Sequence, residues 1–148
     1  MTNTIIRTTH HLLADVITDR DTVVDATAGN GHDTVFLARR AKTVYAFDTN
    51  ASAIEETVRR VREEGLTNVI AIHDSHARIT DHVTRCKGAV FNLGYLPGSD
   101  KSSKTDGKTV CQALESVLGQ LGEGGFISVV TYPGHPGGRE EHDLVRTF

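Results

Sequence analysis

Val23-Val24-Asp25-Ala26-Thr27-Ala28-Gly29-Asn30-Gly31-His32-Asp33-Thr34 is the stretch that decides the fold. It passes from a β-branched apolar run, through a tight glycine turn, into the opening of a helix. A second apolar run, Thr43-Val44-Tyr45-Ala46-Phe47, ends in Asp48. Strand, glycine turn, helix and a second strand closed by an acid form the layout of a nucleotide-cofactor site at the carboxyl ends of parallel strands. Gly29 and Gly31 lack a Cβ, so the backbone can turn sharply there and come close to a ligand. Asp48 stands where a carboxylate can accept hydrogen bonds from both ribose hydroxyls of an adenosine.

Two cofactors share this layout, and the details separate them. The NAD fingerprint G-x-G-x-x-G wants a third glycine where this chain has Thr34. Asp25, four residues before the turn, would also sit poorly beside a pyrophosphate, because like charges repel at close range. It suits S-adenosylmethionine, whose amino-acid tail carries an ammonium and whose sulfur is cationic. The pattern D-x-T-x-G-x-G from Asp25 to Gly31, followed by Asp33, resembles the first motif of class I S-adenosylmethionine-dependent methyltransferases, with Thr27 in place of a common glycine.

Working outward, helical and strand signals alternate, which predicts an α/β domain with a mostly parallel, doubly wound sheet. Thr8 to Val16 reads as a lead-in helix, Thr22 to Thr27 as the first strand and Asp33 to Arg40 as the helix after the turn. The strand Thr43 to Phe47 precedes a helix over Ala51 to Glu64, with Ile54, Val58 and Val61 on one face and Gly65 as its stop. Val69 to Ile72 is a third strand, Ile79 to Thr84 a short helix and Gly88 to Phe91 a fourth strand. Thr109 to Leu121 is a helix with Val110, Leu114, Val117 and Leu121 spaced for burial. Gly124-Gly125 precede a fifth strand, Phe126 to Thr131, and Arg139 to Phe148 opens another helix. The 148 residues suffice for one domain, taken as 1–148. The methyltransferase fold usually adds further strands, so the expectation is a chain that lacks its C-terminal ones.

Composition narrows the class. Hydrophobic residues make up 38% and charged residues 24%, as in an ordinary globular protein. No apolar run approaches the roughly 20 residues that span a bilayer, and no signal-peptide core precedes Arg7 and His10-His11. Cys86 and Cys111 are single and far apart, which suggests neither a disulfide framework nor a zinc site. A cytoplasmic protein with reduced thiols, no membrane and no metal is expected. The net charge of −3 argues against a non-specific nucleic-acid coat but leaves room for a local basic patch.

The residues for chemistry cluster after the fourth and fifth strands. Asn92-Leu93-Gly94-Tyr95 resembles the Asn/Asp-Pro-Pro-Tyr/Phe motif of methyltransferases that modify amino nitrogens, with Leu93-Gly94 replacing Pro-Pro. An Asn carbonyl can accept from a substrate amine and orient its lone pair. The Tyr95 face can stabilise charge developing on nitrogen, a cation–π effect of about 0.5–2 kcal/mol. His135 can titrate in the range needed to take a proton from an alkyl amine, and Tyr132 is a second candidate for the acceptor pocket. Lys101, Lys104 and Lys108, in the polar loop before the next helix, can reach RNA phosphates. Asp74, Ser75 and His76 border the adenine. His73 and His76 have no third ligand nearby in sequence, so metal binding is not expected. His10, His11, His82 and His142 read as surface residues without a role.

Taken together, Asp25 to Thr34, Asn92-Leu93-Gly94-Tyr95-Leu96-Pro97-Gly98-Ser99-Asp100-Lys101 and Tyr132-Pro133-Gly134-His135 resemble a family of small bacterial proteins labelled rRNA methylases. That family includes the tRNA wobble-uridine aminomethyl methyltransferases. The resemblance implies methyl transfer to the 5-aminomethyl nitrogen of (2-thio)uridine at the tRNA wobble position, with the anticodon stem-loop as partner. It also implies that Asn30, His32, Asp48, Asn50, Ser75 and His76 line the cofactor pocket. An rRNA or small-molecule amine is the alternative acceptor, and a non-catalytic cofactor-binding RNA module the alternative to an enzyme. A homodimer would enlarge the surface offered to RNA.

Overall fold

A computed structural model describes residues 4–93, 107–131 and 146. The elements are α1 (Thr4–Ala14), β1 (Thr22–Asp25), α2 (His32–Ala38), β2 (Thr43–Asp48), α3 (Ala51–Glu63), β3 (Val69–His73), a 3₁₀ segment (His76–Asp81), β4 (Cys86–Leu93), α4 (Gly107–Leu118) and β5 (Leu121–Thr131). The strands make one sheet in the order β3-β2-β1-β4-β5, parallel at every pairing. This is the expected Rossmann-like arrangement. The chain builds outward from β1 to β3, then returns to the other side of β1, so the strand order reverses between β1 and β4.

Both faces of the sheet are covered, and the strand sequences show why. Val23 and Val24 are consecutive and fully buried, so they point to opposite faces. Val23 joins Leu13 and Ile17 around α1, Leu37 and Ala38 of α2, and Val44 and Val90. Val24 joins Phe47, Phe91, Ile79 and the α4 residues Val110, Ala113, Leu114 and Val117. A strand buried on both faces needs consecutive apolar residues rather than alternating ones, which Val23-Val24 of β1 and Ala89-Val90-Phe91 of β4 supply.

Several boundaries differ from those the sequence suggests. β1 stops at Asp25, because Ala26 and Thr27 already belong to the turn. The α3 face that is buried is Ala53, Thr57 and Val61, while Val58 is 37% exposed. An i, i+4, i+8 row that includes a threonine replaces the purely apolar row. After β3 the chain forms a 3₁₀ segment from His76, begun by Ser75 accepting from Ala77 N–H at 3.1 Å, rather than a helix from Ile79. Leu121 opens β5 instead of closing α4, and Gly124-Gly125 lie within the strand. The register explains this: Leu121 pairs with Cys86 and Phe126 with Gly88, so an irregularity between them absorbs the glycines. The helix expected over 139–148 lies outside the described residues except for Arg146. Among the described residues no helix is long and apolar enough to cross a membrane.

Candidate cofactor and acceptor site

The glycine turn is braced from three sides. Gly29 and Gly31 take φ of 56° and 89°, conformations that side-chain-bearing residues rarely adopt. A Cβ on Gly31 would meet Thr57 Cα at 3.0 Å, so α3 packs directly on the bare backbone. Gly29 N–H donates to Asp48 Oδ2 at 3.0 Å, and Ala28 N–H donates to the Phe47 carbonyl at 2.8 Å. From α3, Thr57 Oγ1 donates to the Gly29 carbonyl at 3.1 Å and Arg60 Nε to the Asn30 carbonyl at 2.8 Å. Asp48 also accepts from Asn50 N–H at 2.9 Å through Oδ1. Each carboxylate oxygen of this half-buried acid thus takes one backbone N–H and has further acceptor capacity for a pair of hydroxyls. Asn50 caps α3, accepting from Ser52 N–H at 2.9 Å and Ala53 N–H at 3.4 Å.

Asp25 lies beneath the turn, fully buried. Oδ1 accepts from Thr27 N–H at 3.1 Å and Oδ2 from Thr34 Oγ1 at 2.7 Å, tying the turn to α2. Burial first, and then the Asp33 charge, push its carboxyl up to about 7. It reaches a ligand only through the turn it braces. Asp33, also buried, meets His10 Nε2 at 2.5 Å, and the His10 ring stacks on Phe36 with centroids 3.9 Å apart. His10 is therefore no idle surface residue; it joins α1 to the first turn of α2. His32 is exposed, and desolvation followed by the Arg60 charge lowers its pKa.

On the other side of β1, Asn92 N–H donates to Thr27 Oγ1 at 2.7 Å, which brings the end of β4 against the glycine turn. His76 is buried and its Nδ1 lies 3.0 Å from the Ala26 carbonyl. Asp74 accepts from Ser75 N–H at 2.8 Å and meets His82 Nε2 at 3.0 Å. The His82 hydrogen bond holds the Asp74 carboxyl below its ordinary range. His82 too has a partner that its sequence context did not suggest. Lys108 is exposed on α4. Tyr95, Lys101, Lys104, Tyr132 and His135 lie outside the described residues.

The structure thus brings Thr27, Gly29, Asn30, Gly31, Asp48, Asp25, His76 and Asn92 to the carboxyl ends of β1, β2 and β4. Sequence reasoning missed Thr57, Arg60 and His10. The signal for the first pair was a polar threonine in a row of buried positions with a cation three residues on, which only the contact with the turn gives meaning.

The site's residues fit an adenosyl cofactor on their own chemistry. Asp48 has acceptor capacity for the ribose, the bare Gly29–Gly31 backbone allows close approach, and the acid Asp33 in the first turn of α2 favours a cationic tail. Comparisons with known proteins agree. The family model described as "Putative rRNA methylase" matches residues 44–148. A chloroplastic tRNA (mnm5s2U34)-methyltransferase of Arabidopsis thaliana is 38% identical over 94% of this chain. The chain spans 56% of the length of that relative. A Clostridium thermocellum crystal structure described as a "putative rRNA-methylase" superposes with a TM-score of 0.93 at 35% identity, over 99% of this chain and 82% of the other. A "putative methyltransferase" from Streptococcus mutans, solved in complex with SAH, gives 0.91 at 37% identity, over 100% and 82%. The fold is that of the class I methyltransferases.

Proposed function

The chain belongs to the family described as "Putative rRNA methylase", and on that premise we propose that it is an S-adenosylmethionine-dependent tRNA methyltransferase. Its acceptor is the 5-aminomethyl nitrogen of (2-thio)uridine at the wobble position, and its product 5-methylaminomethyl-2-thiouridine. The observation that carries the reading is the Thr27–Asn92 contact at 2.7 Å, which joins the cofactor turn to the amine-type motif at the end of β4. The name of the Arabidopsis relative and the SAH bound by the Streptococcus mutans protein support the acceptor and the cofactor.

The bound cofactor supplies an electrophilic methyl group. The protein's own residues hold and orient. Asp48 takes the ribose hydroxyls, with Asn50 fixing the carboxylate from behind. Asp33, Gly29, Asn30, Gly31 and His32 surround the amino-acid tail, with Asp25 beneath them holding the turn, and Asp74, Ser75 and His76 border the adenine. Asn92 accepts an N–H of the substrate amine, so that the nitrogen lone pair faces the methyl carbon. Tyr95 and Tyr132 line the acceptor pocket and His135 takes the proton the amine must lose. Holding amine and methyl in line supplies most of the acceleration, since effective molarities for such alignment reach about 10⁵ M or more. Lys101, Lys104 and Lys108 grip the anticodon stem-loop, a homodimer extends the RNA surface, and the enzyme works in the cytoplasm.

The test is methyl transfer from labelled S-adenosylmethionine to tRNA from cells lacking this protein, followed by nucleoside analysis. The expected product grows at the expense of the aminomethyl form. Asp48→Ala weakens cofactor binding, whereas Asn92→Ala spares binding and removes turnover. Transfer to ribosomal RNA but not to tRNA would replace the acceptor and keep the chemistry.

A further inference from the structure

The hydrogen-bond ladder between β1 and β4 ends in a side-chain exchange. Ala26 N–H donates to the Val90 carbonyl at 2.9 Å. A regular parallel ladder would continue with Asn92 N–H donating to the Ala26 carbonyl. Instead, Asn92 N–H donates to Thr27 Oγ1 at 2.7 Å, and the Ala26 carbonyl meets His76 Nδ1 at 3.0 Å. Two side chains stand in for one backbone bond. They do so where the strand order reverses, the crevice in which open α/β sheets bind their ligands.

The exchange fixes the state of His76. A carbonyl can only accept, so Nδ1 carries the hydrogen and, in the neutral ring, Nε2 is a bare acceptor. That Nε2 is buried, with no hydrogen-bond partner among the described residues. The residue is 6% exposed, and its ring meets Phe91 edge-on at 5.4 Å. Desolvation lowers its pKa, against the opposite pull of the Ala26 bond and the Asp48 charge. A buried polar atom left unpaired in this way calls for a reason, and the Ala26 bond supplies one.

We propose that His76 is a positioning residue of the methyl transfer. By occupying the Ala26 carbonyl through Nδ1, it leaves the Asn92 N–H to Thr27 and so sets where Asn92 stands at the reacting edge. This rests on the reading of Asn92 as the residue that orients the amine; the exchange itself does not. Without the imidazole, the Ala26 carbonyl lacks its partner beside the Asn92 N–H. The regular ladder bond can then form and draw Asn92 away from Thr27. A shift on the order of 1 Å can cost about 10²-fold in rate.

Two substitutions separate the ring nitrogens. In His76→Asn the amide nitrogen falls near the Nδ1 position and can still donate to Ala26. In His76→Gln the amide reaches the Nε2 position instead. The Asn92 backbone amide resonance is followed in the ligand-free protein, with cofactor affinity by titration, thermal melts, and kcat and KM for transfer to aminomethyl tRNA. His76→Asn is expected to keep the Asn92 resonance near its wild-type position and to lose less than about tenfold in kcat. His76→Gln is expected to move that resonance and lower kcat, read at saturating cofactor, about 10²-fold with the KM for tRNA little changed; the cofactor titration separates this loss from any weakening at the adenine. Equal loss in both variants, or an unmoved Asn92 resonance in His76→Gln, overturns the proposal. If the wild type transfers no methyl group although the resonance moves, the functional reading falls and the positioning role with it. The ladder exchange would then stand as structure alone.

Discussion

Asp25 shows how one residue can be legible in a sequence and still have its work misjudged. Its place before the glycine turn marks it as a cofactor acid, yet both its oxygens are bound within the protein and none of its surface is open. The raised carboxyl has a consequence for stability. In the unfolded chain it titrates near 3.8 and in the folded protein near 7. The folded state therefore holds the extra proton between those values, and stability from it is complete below about 4. It is lost as pH rises toward 7 and is level above that. Asp25→Asn keeps an acceptor for Thr27 N–H and can donate to Thr34, while having no proton to lose. Relative to wild type, the Asn variant should gain stability steadily from pH 4 to 7 in chemical denaturation, and parallel profiles for the two proteins would exclude a shifted Asp25. His10, Thr57 and Arg60 escaped the sequence reading for a different reason. Their partners lie 23, 28 and 30 residues away, and no local pattern records such pairs.

At the scale of the element, the glycine turn and α3 form one unit. Gly31→Ala tests it. The new Cβ would press on the Thr57 backbone at 3.0 Å with φ at +89°, and neither can give without moving α3 or the turn. The left-handed conformation alone costs about 1–3 kcal/mol for a non-glycine residue. Gly31→Ala should lower stability by that order and weaken S-adenosylmethionine binding by at least about tenfold. Gly65→Ala is the matched control: φ is +70°, but nothing lies within 4 Å of its Cβ. It should cost about 1 kcal/mol and leave cofactor affinity alone. Equal loss of affinity in both would show that general destabilisation, rather than the turn's contact with α3, controls the site. The same unit explains why the α3 face was misread. Periodicity selects apolar residues, whereas Thr57 is buried because its hydroxyl serves the turn. β5 was shortened for a similar reason, since Gly124-Gly125 read locally as a turn and only the pairing with β4 draws them into the strand.

Across the molecule, the mostly parallel sheet was legible because each strand–helix unit announces itself locally, whereas the strand order comes from the structure. The reversal between β1 and β4 then sets Asp48 on one side of the turn and Asn92 on the other, so the sequence residues proposed for the cofactor are brought to one edge of the sheet. Electrostatics are where the whole chain decides what a local reading leaves open. Arg39, Arg59 and Arg60 are basic residues on or beside helices that a local reading could assign to RNA. Instead, Arg39 pairs with Glu64, Arg59 with Glu56 and Glu63, and Arg60 with Glu56. In a chain of net charge −3 such paired faces offer little to phosphate. The proposed RNA grip is assigned to Lys101, Lys104 and Lys108 by their place in the sequence after β4. Phosphate contacts release counterions, at about 0.7–0.9 per contact in the slope of log affinity against log salt. Binding of an aminomethyl anticodon stem-loop, followed by fluorescence anisotropy over a salt series, should give a slope no steeper than about −3. Replacing Lys101 and Lys104 together by alanine should reduce it by about 1.4–1.8. A wild-type slope much steeper than this would place the main RNA contact elsewhere, on a partner copy or on another face. A slope unaffected by the double replacement would remove these lysines from the interface.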